Sequence, residues 1–277
     1  MNRISIVMPV YNAEKYVSET IESTLKQSFG DFEFIIIDDG STDQTLSIIQ
    51  SYKDERIKVI TNEHNFVKSL NIGLNRALGK YVARMDADDI MHIDRLKIQY
   101  AIMEEDTNIT VCSSWMKTFG ENINSGLMKN GFGIIDTPLL HLLKNNFIYH
   151  PTVMMRHSFL KENQIMYSNY AWTEDYKLWV DISIAGGQFF IDSEPLLYYR
   201  ISKDQVRATK QKEQKESSLK IKKEILYNLI KRSVIKEELS ELHSLFYRIK
   251  DISTLSDEDV LMFYYTFFLK NKAIIGY

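Results

Sequence analysis

The sequence predicts an α/β protein: a doubly wound, mostly parallel sheet with helices on both faces, continued by a helical C-terminal extension. Three observations carry this expectation. Up to about residue 90, short β-branched runs alternate with helical patterns, the rhythm of successive βαβ units. Ile35, Ile36 and Ile37 form an unbroken apolar run, as expected of a strand covered on both faces. Beyond residue 205 proline is absent, lysine is frequent, and apolar residues recur at helical spacing.

The elements follow in order. Strands are predicted at Ile4 to Met8, Glu33 to Ile37, Arg56 to Thr61 and Tyr81 to Met85. Between the first two, Val17, Ile21, Thr24 and Leu25 share one helix face, with Asn12 as the expected N-cap. Between the next two, Ser41 and Gln44 fit a capping box ahead of Leu46, Ile48 and Ile49. The pattern loosens after residue 95, with strands expected at Ile109 to Ser113, Thr152 to Met155 and Gln188 to Ile191, and with residues 116–150 mostly loop. Leu178, Ile182 and Ala185 predict a helix from Glu174 to Ala185, capped by Thr173 and ended by Gly186. In the tail, Ile221, Ile225, Leu226, Leu229 and Ile230 mark an apolar stripe.

Composition narrows the class. With 277 residues, 44% hydrophobic and 26% charged, the chain is long and apolar enough to bury a core, so a disordered or fibrous protein is excluded. Cys112 is the single cysteine, which rules out an intramolecular disulfide and a cysteine-built zinc site. Pro9 interrupts the N-terminal apolar run before it reaches the length of an export signal, so the cytoplasm is the expected compartment. The run from Val260 to Leu269 is far shorter than the roughly 20 residues a spanning helix needs. Residues 1–204 carry 20 basic and 27 acidic side chains, and residues 205–277 carry 14 and 10. That asymmetry predicts a division into two regions, residues 1–205 and a helical extension over 206–277.

In an open parallel sheet, ligands bind beyond the carboxyl ends of the strands. Here those ends are acidic. The first strand is followed by Pro9, Val10, Tyr11 and Asn12, with no glycine to let a backbone approach a pyrophosphate, so a dinucleotide enzyme is demoted. No phosphate-binding loop with the Gly-x-x-x-x-Gly-Lys pattern occurs either. After the second strand, Asp38 and Asp39 suit a ribose hydroxyl or a base N–H, or merely decorate a helix start. After the fourth, Asp86, Asp88 and Asp89 repel one another unless a hard cation such as Mg²⁺ or Mn²⁺ gathers them. Asp257-Glu258-Asp259 has the same spacing, but its polar setting fits a solvated helix start. Arg84, Arg200, Lys203 and Arg207 are the cations available to a diphosphate, or else surface charges. His150 precedes Pro151 at an expected strand start, facing either an acceptor or the core. No histidine pair has metal-binding helical spacing, so a zinc hydrolase lacks support.

Four stretches, taken in order, resemble the motifs of family 2 inverting glycosyltransferases with the Rossmann-type GT-A fold. They are Ser5-Ile6-Val7-Met8-Pro9-Val10-Tyr11-Asn12, Ile37-Asp38-Asp39-Gly40-Ser41-Thr42-Asp43, Arg84-Met85-Asp86-Ala87-Asp88-Asp89 and Thr173-Glu174-Asp175-Tyr176-Lys177-Leu178-Trp179. The resemblance covers about residues 4–200, including Asn71-Ile72-Gly73-Leu74 and Ala77-Leu78-Gly79-Lys80-Tyr81. The Gln-x-x-Arg-Trp signature of processive synthases is absent, which implies single addition. The resemblance implies a nucleotide on Pro9, Tyr11, Asp38 and Asp39, and a metal with the sugar diphosphate on Asp86 and Asp88. It implies a general base at Asp175, a UDP-sugar donor, and a saccharide or lipid-linked acceptor in bacterial surface polysaccharide synthesis.

Two rivals remain at this point. A nucleotidyltransferase would want a glycine-rich loop after the first strand, and a binding module would hold a cation without turnover. Nothing supports a nucleic-acid partner. The tail stripe is expected to pack, its alternative being peripheral contact with an anionic membrane through residues 206–277.

Overall fold

The computed structural model describes residues 3–120, 125–201, 210–250 and 255–275. Lys203, Arg207 and the boundary expected after residue 205 lie outside them. The chain forms two compact units. The first draws on Met1–Ile135, Ile148–Asn169 and Gly187–Thr209, the second on Asp136–Phe147, Tyr170–Gly186 and Lys210–Tyr277.

The first unit holds β1 (Ile4–Val10), α1 (Val17–Leu25), β2 (Phe32–Asp38), α2 (Thr45–Ser51), β3 (Ile57–Thr61), α3 (Phe66–Arg76), β4 (Tyr81–Arg84), β5 (Ile90–Met91), α4 (Arg95–Glu105), β6 (Ile109–Phe119), β7 (Gly126–Met128) and β8 (Gly133–Ile134). After residue 147 it adds β9 (Met154–Arg156), α6 (His157–Glu162) and β10 (Gln188–Arg200). Among the described residues the strands form one sheet in the order β3-β2-β1-β4-β9-β6-β10-β5, with β7 beside β6 and β8 beside β10. The pairs β3-β2, β2-β1, β1-β4 and β6-β10 are parallel, and β9 runs antiparallel between β4 and β6. The predicted class holds.

Every residue of β1 and β2 is buried, polar ones included. Ser5 and Glu33 are tolerable there because they satisfy each other. Ser5 Oγ donates to Glu33 at 2.5 Å, Lys58 Nζ approaches the same carboxylate at 2.6 Å, and the Leu78 amide donates to it at 2.8 Å. Burial opposes ionisation of Glu33, yet Lys58, Ser5 and the Leu78 amide hold its carboxyl below the usual range. Glycine is required where chain meets chain. A Cβ on Gly73 of α3 would sit 2.2 Å from Val7 Cγ1, and one on Gly79 would sit 2.6 Å from the Ser5 amide nitrogen.

Several sequence expectations are corrected. Residues 116–150 are not mostly loop: β6 runs on to Phe119, and β7, β8 and a helix over Pro138–Lys144 follow. Helix α4 escaped notice because Arg95 and Gln99 stand beside Leu96 and Met103 on its buried face, which breaks the apolar periodicity. Asn12 caps nothing; it adopts φ 47° and braces a loop, while Tyr16 takes the N-cap position. Ser41 and Gln44 form no capping box either, since the N-cap Gln44 makes no side-chain cap bond. His150 begins a 3-10 turn over His150–Thr152, and β9 starts only at Met154.

The second unit is helical: α5 (Pro138–Lys144), α7 (Glu174–Ile184), α8 (Gln211–Arg232), α9 (Lys236–Lys250) and α10 (Asp257–Lys270). Helix α7 ends as expected at Gly186, with φ 87°, but Thr173 at its N-cap makes no side-chain cap bond. The stripe Ile221, Ile225, Leu226, Leu229 and Ile230 is buried on α8, which packs against α5, α7 and α10. Those residues are therefore core. Asp257, Glu258 and Asp259 fill the first turn of α10 behind a capping box made by Ser256, the helix-start role expected for them. Among the described residues, no helix is long and apolar enough to cross a membrane.

Candidate active site

The sheet reverses its direction of growth between β1 and β4, and the loops leaving β1, β2 and β4 carry the acidic motifs. Pro9 is buried inside β1 opposite Ile37. Tyr11 emerges, 44% exposed, with its ring centroid 4.0 Å from that of His64. The loops after β1 and β2 are tied together. Asn12 Oδ1 accepts from the Thr42 amide at 2.8 Å, its own amide donates to Ser41 Oγ at 3.1 Å, and the Ala13 amide donates to Thr45 Oγ1 at 2.8 Å.

Asp38 and Asp39 are both buried at the end of β2, but their surroundings differ. Asp39 Oδ1 accepts from Ser69 Oγ at 2.7 Å, the Asn65 amide at 2.8 Å and Asn62 Nδ2 at 3.2 Å. That oxygen is saturated, and Asp39 braces the turn at Gly40, where φ is 81°. Asp38 Oδ1, by contrast, has no hydrogen-bond partner among the described residues. A buried carboxylate oxygen left without a donor is costly, and a ligand N–H or O–H is the natural remedy.

The loop after β4 brings Asp86, Asp88 and Asp89 together, with one oxygen from each within 4.8 Å of the others. Burial, then the Asp86 charge, pushes the Asp88 carboxyl up to about 6. Burial and both neighbours raise Asp89 too, and its Oδ2 has no hydrogen-bond partner among the described residues. An all-oxygen set of crowded, part-buried carboxylates fits a hard divalent cation. Arg84, buried just before the loop, ion-pairs with Asp86 while its Nε has no partner among the described residues.

Two residues that sequence reasoning passed over, Thr20 and Arg95, hold this loop and the strand end before it. Thr20 Oγ1 of α1 donates to the carbonyls of Ala87 at 3.0 Å and Asp89 at 2.8 Å. Arg95 is wholly buried and donates to the carbonyls of Arg84 at 2.9 Å and Val153 at 3.2 Å, while Gln99 accepts from it at 3.2 Å. Burial and the nearby Arg84 charge push Arg95 down to about 9, which leaves it charged at neutral pH. Arg200 also belongs to this scaffold. Its amide donates to Asp89 Oδ1 at 2.9 Å, its Nε donates to the Asp88 carbonyl at 2.8 Å, and it ion-pairs with Glu19. Its guanidinium lies 4.3 Å from the Tyr16 ring centroid and 4.4 Å from that of Phe119. His150 is buried, with Nε2 2.7 Å from the Tyr167 hydroxyl, and burial with the Arg84 charge holds it well below the usual range.

In the second unit, Asp175 occupies the first turn of α7. Asn146 Nδ2 donates to its Oδ2 at 2.9 Å and the Tyr176 amide to its Oδ1 at 2.7 Å, so the carboxylate is held in place.

The chain is similar to known proteins over most of its length. The family model described as glycosyl transferase family 2 matches residues 5–163. An uncharacterized glycosyltransferase of Haemophilus influenzae is 37% identical over 82% of this chain and 75% of its own length. TarS of Staphylococcus aureus, a poly(ribitol-phosphate) beta-N-acetylglucosaminyltransferase, is 29% identical over 88% of this chain but only 42% of its own. The crystal structure of TarS 1-349 in complex with UDP superposes with a TM-score of 0.66 at 26% identity, covering 82% of this chain and 66% of that one. The mannosyltransferase PcManGT of Pyrobaculum calidifontis, solved with GDP-Man and Mn²⁺, shares the fold at 15% identity, with a TM-score of 0.61 over 79% of this chain and 62% of that one. With the family model spanning more than half of the chain, the protein belongs to glycosyl transferase family 2 and is a glycosyltransferase of the GT-A fold.

Proposed function

We propose that the chain transfers a sugar from a UDP-sugar, with inversion, to a hydroxyl of a saccharide or lipid-linked saccharide in bacterial surface polysaccharide synthesis. The carboxylate cluster Asp86, Asp88 and Asp89 carries this reading, since it lies where an α/β sheet takes its ligands and is built for a cation with a diphosphate. TarS, crystallised with UDP and named for transfer to poly(ribitol-phosphate), supports the donor, and TuaG of Bacillus subtilis, named for teichuronic acid biosynthesis, supports a polysaccharide setting.

The roles follow from the surroundings. Asp38 offers its unpartnered oxygen to a base N–H or a ribose hydroxyl, and Tyr11, the residue after the Val10 that pairs with Asp38 across β1 and β2, presents an exposed ring. Asp39 acts one step back, by fixing the turn that aims Asp38. Mg²⁺ or Mn²⁺ on Asp86 and Asp88 would offset the charge growing on the departing diphosphate. Arg84 holds Asp86, and Arg200 holds the loop from the other side rather than reaching out as a free cation. Asp175 removes the proton from the acceptor hydroxyl, and a one-step inversion needs no second carboxylate as nucleophile.

The test is to incubate the pure protein with a panel of nucleotide sugars and Mn²⁺ and to follow donor hydrolysis by mass. Selective turnover of a UDP-sugar is expected, and with an acceptor the product should carry the opposite anomeric configuration by NMR. Retention of configuration would end the one-step assignment.

A further inference from the structure

Trp172 is an outlier twice over. Its φ of 60° lies in the left-handed region, where a bulky side chain is strained, and its indole is 41% exposed. The conformation is held on both sides. The Thr173 amide donates to the Tyr170 carbonyl at 3.1 Å across the turn, and Gln214 Nε2 of α8 donates to the Trp172 carbonyl at 3.2 Å. Glycine would adopt this φ without strain, and a polar residue would suit this exposure, so stability alone explains neither feature. What remains is the ring.

The indole face is electron-rich and attracts positive partners. Lys210 Nζ already lies 5.8 Å from its centroid and makes an exposed ion pair to Glu213 at 3.6 Å. The C–H face of a pyranose presents the same polarity over a flat, similarly sized area. Trp172 stands three residues before Asp175, so their Cα atoms are at most about 11 Å apart. Asp175 itself is fixed by Asn146.

We propose that Trp172 is a platform on which a saccharide ring of the acceptor stacks, so that the acceptor is recognised as a ring and not as an open-chain polyol. The inference rests on reading Asp175 as the base that deprotonates the acceptor. Trp172 would then set which acceptors present a hydroxyl to it.

Saturation-transfer NMR on the full chain tests this without needing turnover. The probes are methyl β-D-glucopyranoside and the methyl glycoside of N-acetyl-β-D-glucosamine, with ribitol as the acyclic control. Wild type should saturate the ring C–H protons of a glycoside and leave ribitol weak. Trp172→Gly, which suits the φ, should lower glycoside affinity by roughly three- to tenfold, the order of one aromatic contact, and Trp172→Phe should restore most of it. Circular dichroism and melting check that the variants fold, and Trp172→Asn, also tolerant of left-handed backbone, stands in if glycine loosens the turn. Absence of any glycoside signal in wild type, equal signals in the glycine variant, or equal saturation of ribitol would each overturn the platform. Failure of wild type to hydrolyse any UDP-sugar would instead sink the donor reading, and would leave the saturation result standing.

Discussion

Both carboxylate oxygens of Asp175, the proposed base, accept a hydrogen bond that holds the group in the first turn of α7. Replacing it with asparagine keeps the shape and removes the basicity. We expect Asp175→Asn to lower transfer by about 10² to 10⁴, the range of general-base catalysis, while UDP binding by calorimetry stays near wild type. Transfer within a few-fold of wild type would reduce Asp175 to a helix-start acid. At this scale the sequence singled out the candidate site residues and passed over those that hold them in place. Asp86, Asp88 and Asp175 stand in recognisable local strings. Arg95 serves Arg84 and Val153, and Asn146 serves Asp175 from 29 positions away, so nothing local announces either partnership. Asp38 and Asp39 looked equivalent in sequence, and only the donors from Asn62, Asn65 and Ser69 tell them apart.

Elements were legible where burial writes a period into the chain. The run of isoleucines in β2 and the stripe of α8 could be read directly, because each buries apolar residues alone. Helix α4 could not, because half of its buried residues are the polar Arg95 and Gln99, placed there to bond strand-end carbonyls. The turn into β4 is a tight element junction. Gly79 lies against the backbone of β1, and its amide donates to Ser5 Oγ at 2.8 Å, joining the buried Glu33 group. A methyl there meets backbone that cannot swing aside. Gly79→Ala should destabilise by roughly 1–3 kcal/mol, the usual range of overpacking, measured by urea unfolding. An unchanged midpoint would show that β4 can slide away from β1 at little expense.

For the whole molecule, ligand binding and stability are linked, since whatever binds only the folded form raises its melting temperature. Crowded carboxylates at the end of β4 repel a diphosphate unless a cation intervenes. UDP should therefore raise the melting temperature with Mn²⁺ or Mg²⁺ present and fail to do so in EDTA. Equal shifts in both conditions would remove the cation from the donor site.

The weave of the chain has its own consequence for synthesis. The second unit takes three separate stretches, the last beginning only at residue 210. Helices α5 and α7 leave the ribosome first, and their buried leucines, Leu139, Leu142 and Leu178 among them, lack the cover of α8 and α10 until those helices follow. A nascent chain halted near residue 205 thus carries an open apolar surface next to the residue assigned as base. Residues 1–205 made alone should bind a hydrophobic dye or precipitate, whereas the full chain should do neither. The second unit, with the helix that carries Asp175, is therefore completed only late in translation, when α8 and α10 emerge.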